Sequence, residues 1–208
     1  MEEKMKILQY VFWVFLAYMA GSMPTGFIVA KIFAKRDIRE FGSKNIGATN
    51  IGRLMGKPWA VFVSLTDMLK GGLLVLLASR FIDNDILLAI LGVMSVFGHN
   101  YPIWLSFKGG KGVSTTFGVV AFYNFFNPWA ALYAGVVWFF VMFVTGYVSI
   151  ASIIAIASMA LFAWHFNMPL PYIWAIILLT LLTIIPHKEN LFRVLNKTEL
   201  KVNMRLFK

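Results

Sequence analysis

Long apolar runs separated by short polar segments make up most of the sequence. Seven of these runs reach or approach the length at which an α-helix crosses a hydrocarbon core about 30 Å thick. They cover residues 7–33, 58–79, 86–104, 113–126, 128–146, 149–165 and 169–186. The fourth run is short for a complete crossing, and we expect its neighbouring loop to dip into the membrane. The pattern predicts an all-α integral membrane protein built as a seven-transmembrane-helix bundle.

Composition indicates a protein whose solvent is lipid. Of the 208 residues, 60% are hydrophobic and 13% are charged, whereas about a quarter of the residues in a soluble domain are charged. A chain of this length holds one compact bundle, so we expect a single domain over residues 1–208. The absence of cysteine excludes disulfides, thiolate nucleophiles and cysteine-based metal clusters. The three scattered histidines form no metal-binding pattern, and we expect neither a metal nor a cofactor.

Lysine and arginine are divided unequally between the two sides of the predicted bundle. Fourteen lie after the first span, after the third span or in the tail beyond the seventh, and three lie on the opposite side. Because cytoplasmic loops retain such residues, we expect the amino terminus outside and the carboxyl terminus in the cytoplasm. Residues 187–208 mix leucine and phenylalanine with basic residues, which predicts an amphipathic cytoplasmic tail on the membrane surface. The net charge of +10 then suits an anionic leaflet or an anionic substrate, and we expect no nucleic-acid partner.

The first polar segment, residues 41–53, combines three glycines and two asparagines with short hydroxyl side chains and an arginine. Backbone N–H groups and side chains of this kind bind anions. The candidates for contact with a phosphate are Ser43, Asn45, Thr49, Asn50 and Arg53. Glycine and asparagine are also what any turn uses, but the arginine favours the anion site.

The second polar segment, residues 98–116, places Lys111 among Gly109, Gly110 and Gly112. Glycines let a backbone bend tightly beside a ligand, lysine adds a positive charge, and the following helix offers its N-terminus to a phosphate. A nucleotide-binding P-loop is excluded, because it needs serine or threonine directly after the lysine, where Gly112 stands. The pattern predicts an anion site, and an ordinary turn is the alternative.

The third polar segment begins at residue 187, directly after the last predicted span. If a helix starts there, His187 and Asn190 share one face and can point into one site; a lone juxtamembrane histidine is more often a solvated cap. All three polar segments fall on the predicted cytoplasmic side. Within the second span, Asp67 and Lys70 are three residues apart, a spacing that fits a functional site and a mutually neutralising pair equally well.

In these segments the sequence resembles the bacterial acyl-phosphate:glycerol-3-phosphate acyltransferases, the PlsY family. The similarity covers residues 21–26, 42–53 and 98–118, together with residues 187–190 and Glu199. Each motif alone is weakly specific, but the set in this order on one membrane face is highly specific. Lys44 and Lys197 stand where many family members carry glycine, and we expect these two departures to change local geometry rather than activity.

The resemblance implies an enzyme of phospholipid synthesis in the bacterial inner membrane, with its active site on the cytoplasmic side. Acyl phosphate and glycerol 3-phosphate would be its substrates, membrane lipid its surroundings, and no obligate protein partner is expected. By analogy, one group of residues would hold glycerol 3-phosphate: Arg53, Lys111, Ser149, His187 and Asn190. A second would surround the phosphate of the donor: Ser43, Asn45, Thr49, Asn50, Gly109, Gly110 and Gly112. From position alone, Ser149 would be an N-cap. The proton of the attacking hydroxyl would pass to a substrate phosphate or to His187.

Two alternative functions predict different sequence features. Soluble-domain glycerolipid acyltransferases use a histidine with an aspartate five positions later. Five positions after its three histidines, this sequence has Trp104, Leu170 and Phe192. A small transporter or channel for an anion would carry polar residues at mid-membrane in several spans, with Asp67 and Lys70 lining the path. The spans after the third are almost wholly apolar, which favours the enzyme.

Overall fold

The computed structural model describes residues 1–123 and 127–202, and helices make up most of that part of the chain. The α-helices, in chain order, are α1 Glu2–Ser22, α2 Thr25–Val29, α3 Ala48–Met55, α4 Lys57–Ala78, α5 Asp85–Asn100, α6 Val113–Tyr123, α7 Trp129–Thr145, α8 Val148–His165, α9 Leu170–Ile184 and α10 Lys188–Leu195. Shorter turns of π or 3-10 type lie at Ala30–Ala34, Ile38–Glu40, Ile103–Leu105 and Ile185–His187. The described residues contain no strand, so the all-helical prediction is confirmed.

Every predicted apolar run contains a helix, but these helices differ in length. Four are long and apolar enough to cross a membrane: α4, α8, and the segments Asp85–Leu105 and Leu170–Leu195. A fifth span results if α1 and the segment Thr25–Ala34 count as one broken helix. Helices α6 and α7 are apolar but have only 11 and 17 residues, and residues 124–126 of the predicted fourth span lie outside the described residues. The count of seven spans therefore stays a prediction.

The first predicted span is broken at Pro24 instead of running straight through residues 7–33. Helix α1 ends at Ser22, and the following helical segment is bent by 40° relative to it. A proline ring disfavours helical geometry in the residue before it, and Met23 has a ψ of 113°. The break leaves the Met23 carbonyl outside the regular helix ladder, where it accepts a hydrogen bond from Lys70 Nζ at 2.8 Å.

Close backbone approach through small residues holds the long helices together. In α1, Gly21 lies against the backbone of Ser95 in α5, and a Cβ atom at Gly118 of α6 would lie 2.0 Å from the carbonyl oxygen of Met68 in α4. Small residues are favoured at such interfaces, because lipid supplies no hydrophobic drive between helices and packing must be tight. The helix pairs that carry the functional loops are thus held at short separations.

The segment between α2 and α4 is a packed element rather than a loop with little to bury, as its composition had suggested. It contains α3, which the sequence analysis did not predict, and a small apolar core of its own. Ile38, Ile46 and Ile51 are almost completely buried there, together with Leu105 from the loop after α5. This shared core brings the first and second polar segments together.

The close contact between α4 and α6 predicts a steric penalty at Gly118. We expect Gly118→Ala to lower the free energy of unfolding by about 1–3 kcal/mol, because the added methyl overpacks a backbone contact. Gly135→Ala in α7 is the matched control, since the nearest heavy atom to its Cβ would be 3.9 Å away. It should be neutral or stabilising by up to about 1 kcal/mol, the difference in helix propensity. Thermal unfolding in detergent measures both; equal destabilisation would contradict the contact.

Candidate active site

Four stretches of the chain meet at one end of the bundle: the segment before α4, the loop between α5 and α6, the turn before α8, and the chain after α9. Asn100 Nδ2 donates a hydrogen bond to the Leu182 carbonyl at 2.9 Å. The Val202 backbone N–H donates to the Gly146 carbonyl at 3.0 Å. The three polar segments therefore lie together, and the turn at Gly146 and the tail lie beside them.

A continuous chain of polar side chains crosses this end of the bundle. Lys111 Nζ donates to Asn190 Oδ1. Asn190 Nδ2 then donates to Glu199 Oε1 at 2.5 Å, and Arg193 Nε donates to Glu199 Oε2 at 2.7 Å. The Glu199 side chain is only 8% exposed. Lys111 and Asn190 are thus in direct contact, and a buried carboxylate contributed by the tail binds Asn190.

Three cations act on one another around this carboxylate, and we call Arg53, Lys111 and Arg193 the cation set. Burial lowers the pKa of Lys111 to about 8; Glu199 opposes this shift, while Arg193 and Arg53 add to it. Burial also lowers the pKa of Arg53, with Glu199 again opposing and Arg193 adding. Glu199 and Glu189, which lies 4.0 Å from Arg193, are two carboxylates against three cations. The site therefore carries surplus positive charge, which is what an anionic phosphate requires.

His187 and Ser149 are both buried beside this site. The Nδ1 atom of His187 lies 2.7 Å from the Thr183 carbonyl. A carbonyl only accepts, so Nδ1 carries the proton and Nε2 is left as an acceptor. Ser149 is 2% exposed, and its hydroxyl has no hydrogen-bond partner among the described residues. The N-cap of α8 is Tyr147, so the N-cap interpretation of Ser149 is wrong.

The candidates of the first polar segment divide into two groups. Asn50 is buried, and its amide is fully used within the segment. Its Nδ2 donates to the carbonyls of Ile38, Phe41 and Asn45, and its Oδ1 accepts from the Ser43 backbone N–H. Asn45 also turns inward, accepting from the Gly47 N–H at 2.8 Å. The amide of Asn50 therefore shapes the segment, while Ser43, Asn45 and Thr49 remain partly exposed.

The glycines around Lys111 are required by the end of α5. The N–H groups of Gly109 and Gly110 donate to the carbonyls of Asn100 and His99 at 3.1 and 3.0 Å. These two N–H groups are therefore already paired with the end of α5. Gly112 has a φ of +75°, a region that glycine tolerates best. The anion donors left in this loop are the Lys111 side chain and the N-terminus of α6.

Lys44 and Lys197 both have left-handed backbones, with φ of +58° at each. At Lys197 this conformation ends α10, because the Thr198 N–H can then donate to the Arg193 carbonyl at 2.8 Å. The prediction that these two departures affect local geometry thus has a physical basis, since both positions suit glycine better than lysine.

Sequence reasoning undervalued Glu199, Arg193 and His99. Glu199 was noted only for its place in a motif, and no periodicity could show that it meets Asn190. His99 had no assigned role, but it is 6% exposed and its Nδ1 lies 2.9 Å from Lys70 Nζ. Lys70 in turn pairs with Asp67 at 2.7 Å. The i, i+3 spacing of Asp67 and Lys70 was the available signal, and of its two interpretations the mutual pair is observed.

Comparison with known proteins gives consistent matches along the whole chain. The family model for glycerol-3-phosphate acyltransferase matches residues 11–197. The glycerol-3-phosphate acyltransferase of Macrococcus caseolyticus is 37% identical over 198 residues, covering 95% of this chain and 100% of that protein. The crystal structure of PlsY, an integral membrane glycerol 3-phosphate acyltransferase, in its glycerol 3-phosphate form has a TM-score of 0.89 at 37% identity and covers 96% of this chain. Its lysophosphatidic acid form has a TM-score of 0.87; both matches cover 100% of the PlsY chain.

The left-handed backbone at Lys197 predicts a stabilising substitution. We expect Lys197→Gly to raise the free energy of unfolding by up to about 1 kcal/mol, because the left-handed region costs a residue with a Cβ roughly 1–2 kcal/mol, partly offset by the greater chain entropy of glycine. Lys188→Gly, at the start of α10 with a φ of −49°, is the matched control and should lose about 1 kcal/mol. Chemical denaturation measures both, and a loss of stability in Lys197→Gly would contradict the argument.

Proposed function

Because the chain belongs to the glycerol-3-phosphate acyltransferase family, we propose that it transfers a fatty acyl group from an acyl phosphate to the 1-hydroxyl of glycerol 3-phosphate. The products are lysophosphatidic acid and inorganic phosphate. The observation that carries the proposal is the cation set with its surplus positive charge, held at one end of an apolar bundle. Such a site suits a soluble anion that must meet an amphipathic acyl donor beside lipid.

The proposed reaction needs no covalent intermediate with the protein. The oxygen of the glycerol hydroxyl forms a bond to the acyl carbon, the bond from that carbon to the phosphate oxygen breaks, and phosphate leaves with the electron pair. The hydroxyl proton passes to a substrate phosphate or to Nε2 of His187. An acyl phosphate is already activated, so positioning the two reactants and stabilising the developing negative charge are the main requirements. The cation set and the hydrogen-bond donors beside it can meet both requirements.

We assign the residues to roles by combining these contacts with the family resemblance. Glycerol 3-phosphate is held by Arg53, Lys111, Ser149, His187 and Asn190. Ser149 has the buried unpaired hydroxyl and His187 the free Nε2 acceptor that a ligand with hydroxyl groups can use.

The donor phosphate is held by Ser43, Asn45 and Thr49 together with the N-terminus of α6. Asn50 and the glycines at positions 109, 110 and 112 contribute by shaping the two loops around that phosphate.

We further propose that the chain is one domain that crosses the bacterial inner membrane seven times, with the amino terminus outside and the site on the cytoplasmic side. The unequal distribution of lysine and arginine supports this orientation. An anion transporter is disfavoured, because Asp67 and Lys70 neutralise each other, and neither side chain is more than 6% exposed.

The donor is tested by offering acyl phosphate, acyl coenzyme A and acyl carrier protein thioester separately to the purified protein with labelled glycerol 3-phosphate. We expect labelled lysophosphatidic acid from acyl phosphate alone. Product formed at a comparable rate from either thioester would contradict the proposed donor, and no product from any of the three would contradict the proposed function.

The cation set is tested by Arg53→Ala and Lys111→Ala. Each should lower kcat/KM for glycerol 3-phosphate by roughly 10- to 100-fold, the range expected for a lost hydrogen bond to a charged group. Lys108→Ala is the matched control, because Lys108 lies in the same loop but is exposed, and it should retain its rate within about twofold. A folded Lys111→Ala variant with full activity would remove Lys111 from the site.

The lowered pKa of Lys111 predicts a pH dependence. Its pKa of about 8 means that the free enzyme loses this charge as the pH rises through 8, so kcat/KM for glycerol 3-phosphate should fall above that pH. Lys111→Arg should move the fall to higher pH, because guanidinium stays charged. Initial rates from pH 7 to 10, corrected for spontaneous donor hydrolysis, measure this; a flat profile in the unsubstituted enzyme would contradict the role of Lys111.

A further inference from the structure

We propose that Asp67, Lys70 and His99 form a positioning network that fixes the loop carrying Lys111 and thereby sets the affinity for glycerol 3-phosphate. The network lies within the helices, apart from the residues assigned to the substrates. The effect on the affinity for glycerol 3-phosphate rests on the proposed function. The fixed position of the loop rests on the geometry alone.

The Lys70 ammonium contacts three different parts of the chain. It pairs with the Asp67 carboxylate at 2.7 Å within α4, lies 2.9 Å from His99 Nδ1 in α5, and donates to the Met23 carbonyl at 2.8 Å. An ammonium has three donors and no acceptor; here it makes two hydrogen bonds, to Met23 and His99, and an ion pair with Asp67. A structural ion pair would need only Asp67; the other two contacts tie α4 to α5 and to the break between α1 and α2.

The contact with Lys70 fixes the protonation of His99. Because the ammonium can only donate, Nδ1 of His99 must accept, and the neutral ring then carries its proton on Nε2. That side of the ring faces Gly110, where a Cβ atom would lie 1.9 Å from Nε2. The Gly110 N–H also donates to the His99 carbonyl. The ring and the backbone of His99 together determine where Gly110 lies. Because Lys111 is the next residue, they also limit where Lys111 lies.

The same ammonium also binds the chain at the break that precedes the first polar segment. The Met23 carbonyl that it binds is the one freed by the break at Pro24, and α2 leads from that break into the segment that carries Arg53. One buried charge is therefore connected to the loop that carries Lys111 and to the chain that leads to Arg53. This explains why an ionised group is kept among apolar helices, where burying it is costly.

The protonation of His99 can be tested without any assay of activity. The chain has three histidines, so the exposed His165 can be removed as His165→Gln, leaving two imidazoles in ¹⁵N-histidine-labelled protein. We expect opposite tautomers in the ¹⁵N spectrum: a proton on Nε2 of His99 and a proton on Nδ1 of His187. Lys70→Met should change the His99 signals and leave those of His187. A proton on Nδ1 of His99, or a charged ring at neutral pH, would overturn the network.

A double-mutant cycle tests the positioning role itself. Lys70→Met should lower kcat/KM for glycerol 3-phosphate at least tenfold, but by less than twofold in a Lys111→Ala background, because the residue being positioned is already absent. An equal loss in both backgrounds would indicate a merely structural role and overturn the proposal. Thr66→Ala, which removes an exposed hydroxyl bonded only to its own helix at Phe62, is the control and should leave the rate unchanged.

The outcomes separate this proposal from the proposed function. If Lys70→Met does not fold, Asp67→Asn, which keeps the shape and removes the carboxylate charge, replaces it in the same cycle with the same expectations. If the unsubstituted protein shows no turnover with any donor, the proposed function fails, while the tautomer measurement still decides whether Lys70 orients His99.

Discussion

The carboxylate of Glu199 is the anion around which the candidate active site is arranged. It accepts hydrogen bonds from Asn190 and Arg193 and opposes the lowering of the pKa of both Lys111 and Arg53. Without it, three partly buried cations would repel one another in surroundings where such repulsion is poorly screened. With it, the site keeps a positive surplus that a substrate phosphate can complete. The tail that supplies Glu199 is therefore part of the site rather than a surface appendage.

The membrane imposes a second constraint, which the helices satisfy by pairing polar groups locally. Asp67, Lys70 and His99 are buried together, and their contacts join α4, α5 and the break after α1. Glycines at the helix crossings allow the short separations that such contacts need. The buried polar contacts inside the bundle and the candidate active site at its end are thus connected through the short loop that follows α5.

Much of the fold was predictable, because apolar runs long enough to cross a membrane report helices directly. The convergence of the three polar segments also followed from alternating spans, and the family resemblance is confirmed. The break at Pro24 was visible as a proline inside an apolar run, yet the length of the run outweighed it. Helix α3 was missed because an eight-residue amphipathic helix produces no long run.

The details of the site were less accessible from sequence, for reasons that differ between residues. The contact of Asn190 with Glu199 depends on how the tail folds back after α10, which no local pattern specifies. Composition also cannot show that the N–H groups of the glycines at positions 109 and 110 are paired with the end of α5. By contrast, the left-handed conformation at Lys44 and Lys197 was signalled by the glycines of related proteins.

The position of Glu199 in the chain has a consequence for biosynthesis. This residue follows α10, the last of the described helices, whereas Arg53 and Lys111 are synthesised well before it. While the protein is being inserted, these two cations have no carboxylate from the tail to share, and the turn before α8 lacks the backbone hydrogen bond that Val202 donates to Gly146. The site therefore becomes complete only after all the helices are in place, so that binding of the anionic substrate is coupled to completion of the fold.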